Sequence, residues 1–184
     1  MKLVFASDIH GSAYYCEKVI EAYKKEGAER LILLGDLLYH GPRNDLPREY
    51  EPKKVTAMLN DMKNEIFAVR GNCEAEVDQM VLEFPCMADY MLLYLDGGRC
   101  AFITHGHLYN TDKPPLLKDG DLLIHGHTHE KVMRDTDNYT YINPGSASLP
   151  KDDDIHSYMV YEDGVFTIKD FDMKPIMSYE LKNN

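Results

Sequence analysis

Five short motifs place oxygen- and nitrogen-bearing side chains directly after apolar runs. Asp8 and His10 follow Leu3-Val4-Phe5-Ala6, Gly35-Asp36 follows Leu31-Ile32-Leu33-Leu34, and Gly71-Asn72 follows Ile66-Phe67-Ala68-Val69. His105-Gly106-His107 comes after Ala101-Phe102-Ile103, and His125-Gly126-His127-Thr128-His129 after Leu122-Leu123-Ile124. Asp8, His10, Asp36, Asn72, His105, His127 and His129 together hold two carboxylates, four imidazoles and one carboxamide, with no thiolate. That mixture suits Mn, Fe, Zn, Ni or Co rather than Ca or a structural zinc. Gathered in one place, such groups cost dearly in desolvation unless cations compensate them. Singly, each piece is ordinary: Asp-x-His and Gly-Asp are common, His-x-His is weakly metal-like, and Gly-Asn is usually a turn. Their recurrence at the end of one apolar run after another is what points to a metal site.

The elements that must position these side chains are legible in outline. Residues 3–6, 31–34, 66–69 and 122–124 read as buried strands. Ser12 is placed to cap a helix whose apolar positions Tyr15, Val19, Ala22 and Tyr23 recur at helical spacing and which Gly27 stops. Residues 39–52, with Gly41, Pro42, Pro47 and Pro52, read as a long loop ending at a helix that carries Val55, Met58, Leu59 and Met62 on one face. Later hairpins are expected at 89–95/99–104 around Asp96-Gly97-Gly98, at 131–135/139–142 around Asp137-Asn138, and at 157–161/165–171 around Asp163-Gly164. The order is β-α-β-α-β and then mostly β, an α/β (α+β) chain of one domain over 1–184 built from two packed sheets with helices. Ligand crevices of such proteins lie beyond the carboxyl ends of the strands, where all five motifs sit.

Composition narrows the function classes. A net charge of −11 over 184 residues disfavours a nucleic-acid groove or an anionic membrane surface. Bound cations would still let an acidic protein hold a phosphate ester. Cys16, Cys73, Cys86 and Cys100 form no C-x-x-C pair, so reduced thiols and a cytoplasmic location are expected. The apolar start is too short for a signal peptide, and no run reaches the length of a membrane span. The ten methionines read as core filler.

The ordered set D-x-H, G-D, G-N-x-[D/E], H-G-H and G-H-x-H, over residues 8–129, resembles the calcineurin-like metallophosphoesterase superfamily. Ser7-Asp8-Ile9-His10-Gly11, Gly41-Pro42-Arg43-Asn44, Arg70-Gly71-Asn72-Cys73 and Asn143-Pro144-Gly145-Ser146 are similar to its YfcE-like branch of small bacterial and archaeal phosphodiesterases. The resemblance implies an αββα sandwich, two mixed β-sheets packed face to face and flanked by helices, with metals at its rim. It implies that Asp8, His10 and His129 bind one divalent ion, that Asn72, His105 and His127 bind a second, and that Asp36 bridges them. Mn²⁺ is the ion expected first, with Ni²⁺, Zn²⁺, Fe²⁺ or Co²⁺ as alternatives. A hydroxide between the ions would attack phosphorus in line. The implied activity is hydrolysis of small-molecule phosphodiesters, with Asp36, Asn72 and His105 in the catalytic set. The branch is compatible with a homo-oligomer.

Other side chains carry two readings each. Arg43 clamps a phosphate oxygen or is a solvated loop arginine. Cys73 stands where many superfamily members place a histidine; it is a substrate-site residue that assists catalysis, or a turn filler. His107 faces substrate or supports a ligand, Arg70 makes a buried ion pair or meets substrate, and His125 is a core histidine. His156 reads as structural or exposed, His40 has no settled role, and Asn143-Pro144-Gly145-Ser146 shapes a loop that hydrogen-bonds ligand histidines. Asp36 is followed by Leu37-Leu38-Tyr39-His40-Gly41 rather than the G-D-x-x-D-R-G of protein phosphatases, which weakens that assignment. A phosphomonoesterase using the same metals and a non-catalytic interaction module of the same fold are the alternative functions.

Overall fold

The computed structural model describes residues 1–95, 98–151 and 153–181. In chain order it contains β1 (Lys2–Ala6), α1 (Ala13–Glu26), β2 (Arg30–Leu33), α2 (Pro52–Asn60), a 3₁₀ turn (Lys63–Glu65), β3 (Ile66–Ala68) and α3 (Glu76–Val81). There follow β4 (Tyr90–Tyr94), β5 (Cys100–Thr104), β6 (Asp121–Ile124), β7 (Lys131–Asp135), β8 (Tyr139–Pro144), β9 (Ser157–Glu162), β10 (Val165–Asp170) and β11 (Pro175–Glu180). Ser12 accepts the Tyr15 backbone N–H at 3.2 Å, and Gly27 ends α1 at φ 63°, the left-handed turn that favours glycine. Pro52 opens α2, where its missing N–H costs no helical bond.

The strands form a six-stranded sheet in the order β11-β10-β9-β1-β2-β3 and a five-stranded sheet in the order β4-β5-β6-β8-β7. Within the first, β1, β2 and β3 are parallel; within the second, β5, β6 and β8 are parallel. Alternation along each strand sorts side chains into layers. Val4, Ala6, Leu31 and Leu33 meet α1 and α2, whereas Leu3, Phe5 and Ile32 pack against Ile103, Leu122, Ile124 and Ile142 of the facing sheet. On the far side Phe102, Leu123 and Tyr141 carry Tyr109 and Leu117 from the β5–β6 connection. The sandwich is therefore the expected one, with both longer helices over the six-stranded sheet and aromatic loop packing over the other.

Several expectations need refinement. The Asp96-Gly97-Gly98 turn lies, except for Gly98, outside the described residues. β11 was not anticipated; it begins at Pro175, and a proline is tolerated there because β11 is an edge strand. Nor was α3, six residues long with none buried, which has no apolar face to read. Met159 is fully buried and Met58, Met62, Met87, Met91, Met133 and Met177 pack against the core, as expected of filler, whereas Met80 is 84% exposed.

Phe5 is fully buried between the sheets, with its ring 6.2 Å from that of Phe166. Phe5→Ala is expected to cost about 3–5 kcal/mol, the range for emptying an aromatic core site. Urea denaturation of the two proteins measures it, and a loss under about 1 kcal/mol would contradict close packing at this position.

Candidate metal centre

The loops after β1, β2, β3, β5 and β6 meet at one rim, and all seven residues singled out above come together there. Five of them hold a left-handed backbone: Asp8 (φ 58°), His10 (50°), Asp36 (56°), His127 (68°) and His129 (63°). Such conformations cost energy in residues with a Cβ and persist only where the surroundings enforce them. Backbone bonds do so here. Asp8 N–H donates to Gly35 O at 3.1 Å, His10 N–H to Asp36 O at 2.8 Å and Gly11 N–H to Leu37 O at 2.8 Å, lacing the first loop to the second. Close approach demands glycine at two places. A Cβ on Gly126 would lie 1.8 Å from Ser7 Oγ, and one on Gly71 would lie 2.1 Å from Asp36 Oδ1.

Two clusters of donors result. In the first, His10 Nε2 and His129 Nε2 are 3.2 Å apart, and Asp8 Oδ1 lies 3.7 Å from the former and 3.3 Å from the latter. In the second, His105 Nε2 is 3.0 Å from Asn72 Oδ1 and 3.2 Å from His127 Nδ1. Asp36 Oδ2 belongs to both, 3.7 Å from His10 Nε2 and 3.5 Å from His105 Nε2. The tautomers are constrained, because a carbonyl can only accept. His10 Nδ1 donates to Tyr39 O at 2.8 Å, His129 Nδ1 to Leu149 O at 2.6 Å and His105 Nδ1 to Leu34 O at 2.7 Å. In each neutral ring Nε2 then carries a lone pair, and these lone pairs point at one another and at carboxylate oxygens. Asp8 Oδ2 takes hydrogen bonds from Ser7 Oγ at 2.5 Å and His127 N at 3.1 Å, whereas its fully buried Oδ1 has no hydrogen-bond partner. An arrangement of acceptors facing acceptors fits divalent cations.

Electrostatics follow from the same packing. Burial works against the charge of Asp8, but the His129 contact and the neighbouring imidazoles hold its carboxyl far below the usual range. Burial likewise opposes protonation of His129, yet the Asp8 carboxylate 3.3 Å away outweighs it and raises its pKa. Burial lowers His10 and His127.

Glu74 went unassigned at the level of sequence, although it is the acid of the G-N-x-[D/E] motif. Its buried carboxylate accepts the backbone N–H groups of Asp36 (2.8 Å), Leu37 (2.7 Å) and Gly71 (2.5 Å), pinning the loops that carry Asp36 and Asn72. A sixth parallel strand end also contributes. After β8, Ser146 Oγ and Ser148 Oγ both donate to Asp8 O at 2.9 Å, and Asn143 Nδ2 donates to Gly126 O at 2.9 Å. Ser146 Oγ also accepts the Leu149 N–H at 2.8 Å, and Leu149 O is the acceptor for His129 Nδ1, so the segment shapes a loop that bonds a ligand histidine, as expected, and supports the Asp8 and Gly126 backbones besides.

The remaining candidates divide. Arg43 is exposed and, with Asn44, Cys73, Thr128, Glu130 and Lys151, lines a cleft of about 460 Å³ that opens on the clusters. Cys73 N–H donates to Asp36 Oδ1 at 2.9 Å, and its Sγ lies within 4.8 Å of the ligand atoms of His10 and Asp36. Burial first, then the Asp36 carboxylate, pushes its thiol well above the ordinary range, so it is neutral. His107 is half-buried beside His105, with ring centroids 5.5 Å apart. Arg70 pairs with Asp89 at 2.7 Å, but its side chain is 32% exposed, so the expected ion pair is not a buried one. His125 is buried and its Nδ1 donates to Gly126 O, but its Nε2 has no partner, so this core histidine is only half satisfied. His156 is structural, bonded to Tyr15 OH at 2.7 Å and stacked on that ring. His40 sits edge-on to Tyr39 and Tyr50.

Burial holds His107 and His125 at a pKa of about 4, so both stay neutral in the fold. The unfolded chain protonates them near 6.5, so each contributes stability that is present above about pH 6.5 and lost as pH falls toward about 4. Glu74 acts in the opposite sense: burial, then the charge of Asp36, raises it to about 7, favouring the fold at lower pH. Two histidines against one carboxyl make stability rise with pH between about 4 and 6.5. His125→Phe, which keeps a ring against Tyr141, is expected to flatten this slope in urea titrations of metal-free protein at pH 5 and 7. An unchanged slope would show that His125 does not titrate in this way.

Residues 1–163 match the model of the calcineurin-like phosphoesterase superfamily domain. The chain is 45% identical over 168 residues to phosphodiesterase YfcE of Escherichia coli strain K12, covering 91% of each protein. It is 29% identical over 155 residues to phosphodiesterase MJ0936 of Methanocaldococcus jannaschii, covering 80% of this chain and 84% of the relative. The solved structure of the E. coli phosphoesterase YfcE superposes with a TM-score of 0.95 at 42% identity, over 99% of this chain and 100% of that one. With its family model spanning most of its length, the chain belongs to the calcineurin-like phosphoesterase superfamily.

Proposed function

We propose that the protein is a metal-dependent phosphodiesterase that hydrolyses small-molecule phosphodiesters at a pair of divalent cations. One observation carries this reading: two groups of nitrogen and oxygen ligand atoms converge on the shared Asp36 Oδ2. In it Asp8, His10 and His129 would hold one ion and Asn72, His105 and His127 the other, with Asp36 shared between the two groups. Bound there, the pair supplies a water of lowered pKa as nucleophile and charge to hold the phosphoryl oxygens. Mn²⁺ is assigned first, ahead of Ni²⁺, Zn²⁺, Fe²⁺ and Co²⁺, all compatible with the donor set. The similarity to two relatives named as phosphodiesterases supports diesters over monoesters.

The chain's own residues do the remaining work. The carbonyls of Tyr39, Leu34 and Leu149 orient His10, His105 and His129 and raise their basicity as ligands. Arg43, at the cleft, grips a phosphate oxygen pair. His107 faces the substrate from beside His105 and, neutral, adds no charge there. Cys73, a neutral thiol, gives a departing ester oxygen little help as a proton donor. We assign the chain as one domain working in the cytoplasm, where its four unpaired cysteines stay reduced. No helix among the described residues is long and apolar enough to cross a membrane.

Asp36→Ala is the test. It should lower metal affinity by more than the roughly 10–100-fold that losing a group behind a ligand costs, and abolish metal-dependent turnover of bis(p-nitrophenyl) phosphate. Metal analysis and kinetics, with p-nitrophenyl phosphate as the monoester control, read both effects. Two tightly held ions and near-normal turnover in the variant would overturn the assignment, and faster monoester hydrolysis by the unaltered protein would move it to a phosphomonoesterase. Cys73→His, at equal metal content, is expected to favour poor leaving groups by roughly 10–100-fold, the lower part of what general acid catalysis supplies. The measurement is kcat/KM for diesters of graded leaving-group pKa, and an unchanged dependence removes Cys73 from the departure step.

A further inference from the structure

Beside the polar cleft runs a second depression of different character. It measures about 570 Å³ and is walled by Leu38, Tyr39, Tyr50, Pro52, Val77 and Val81, with Lys53 and Asp78 also on its border. Its volume is that of a small-molecule pocket. Tyr39, Val77 and Val81 are 43%, 60% and 45% exposed, so this apolar surface is open to solvent. Its position sets it apart from an ordinary surface patch. Cys73 lines both depressions, and its sulfur is within 4.8 Å of ligand atoms on His10 and Asp36. Two wall residues are tied to the same centre. The backbone carbonyl of Tyr39 accepts the His10 Nδ1–H, and the Tyr50 ring sits so tightly against Gly11 that a Cβ there would lie 2.5 Å from it.

We propose that this groove is the subsite for an apolar ester group of the substrate, so that the protein selects phosphodiesters bearing one aryl or comparably apolar arm. The proposal rests on the phosphodiesterase reading and names its substrate class. Cys73 stands where the two depressions meet, beside the donor clusters. From there a substituent passes either into the cleft with Arg43 and Lys151 or into the groove with Tyr39, Tyr50 and Val77. A polar arm is accommodated by the first and an apolar arm by the second.

Binding of non-hydrolysable phosphonates to the metal-loaded full chain tests this by calorimetry. Benzylphosphonate should bind roughly 10–100-fold more tightly than methylphosphonate, the ratio expected from burying a phenyl-sized group. Val77→Asp, at an exposed wall position, should remove most of that ratio while changing methylphosphonate binding far less. Val77→Trp, which fills the groove instead of charging it, is the second variant and should act in the same direction. Equal binding of the two phosphonates by the unaltered protein, or an unchanged ratio in both variants, overturns the groove but leaves the metal centre and diester turnover standing. A change in sedimentation of the Val77 variants with the ratio intact would make the groove a contact between copies and equally overturns the proposal. Failure of the protein to hold metal or to turn over bis(p-nitrophenyl) phosphate is a different result; it overturns the phosphodiesterase reading and the groove falls with it.

Discussion

Lone pairs that face lone pairs are the constraint on which the rest of this structure depends. His10, His105 and His129 each spend their Nδ1 proton on a backbone carbonyl, which leaves their Nε2 atoms to meet other acceptors at 3.0 to 3.3 Å. The one unengaged oxygen of Asp8 is turned into the same space. A positive charge relieves that repulsion. The carbonyls of Tyr39, Leu34 and Leu149 are therefore as much a part of the centre as the rings they orient.

Holding so unfavourable a set together requires a stiff frame. Left-handed backbone at five donors points side chains inward from loops that would otherwise continue outward from the strands. The Gly126 and Gly71 positions let neighbouring chains come within a distance that any side chain would forbid. Glu74 gathers three N–H groups from two loops, and the two serines after β8 hold Asp8 by its carbonyl. These supports are buried polar groups that would destabilise the fold if unpaired, and each is paired.

Legibility in the sequence followed the kind of contact involved. The seven donors could be read because their chemistry recurs at the ends of apolar runs, and β1, β2 and β3 could be read from those runs. Glu74 could not, because its partners are backbone N–H groups and a sequence does not display where those point. Arg70 suggested a buried pair, but its partner Asp89 lies in the segment leading to β4 at the surface. The groove was invisible for another reason: Leu38, Pro52 and Val77 belong to three separate segments and become neighbours only through the tertiary fold. Edge strand β11 hid behind Pro175, and α3 behind a pattern with no buried side.

The division of donors between the two sheets has a mechanical consequence. Asp8, His10, Asp36 and Asn72 come from loops of the six-stranded sheet, and His105, His127 and His129 from loops of the five-stranded one. Each cluster draws on both. A cation seated in either would act as a rivet through the edge of the sandwich, joining layers whose interface is otherwise packed mainly by apolar side chains. Ligation and layer packing then become one cooperative event. Slippage of one sheet over the other would open the centre, and occupation of the centre would resist slippage, so the free metal concentration would set the rigidity of the molecule as well as its readiness to react.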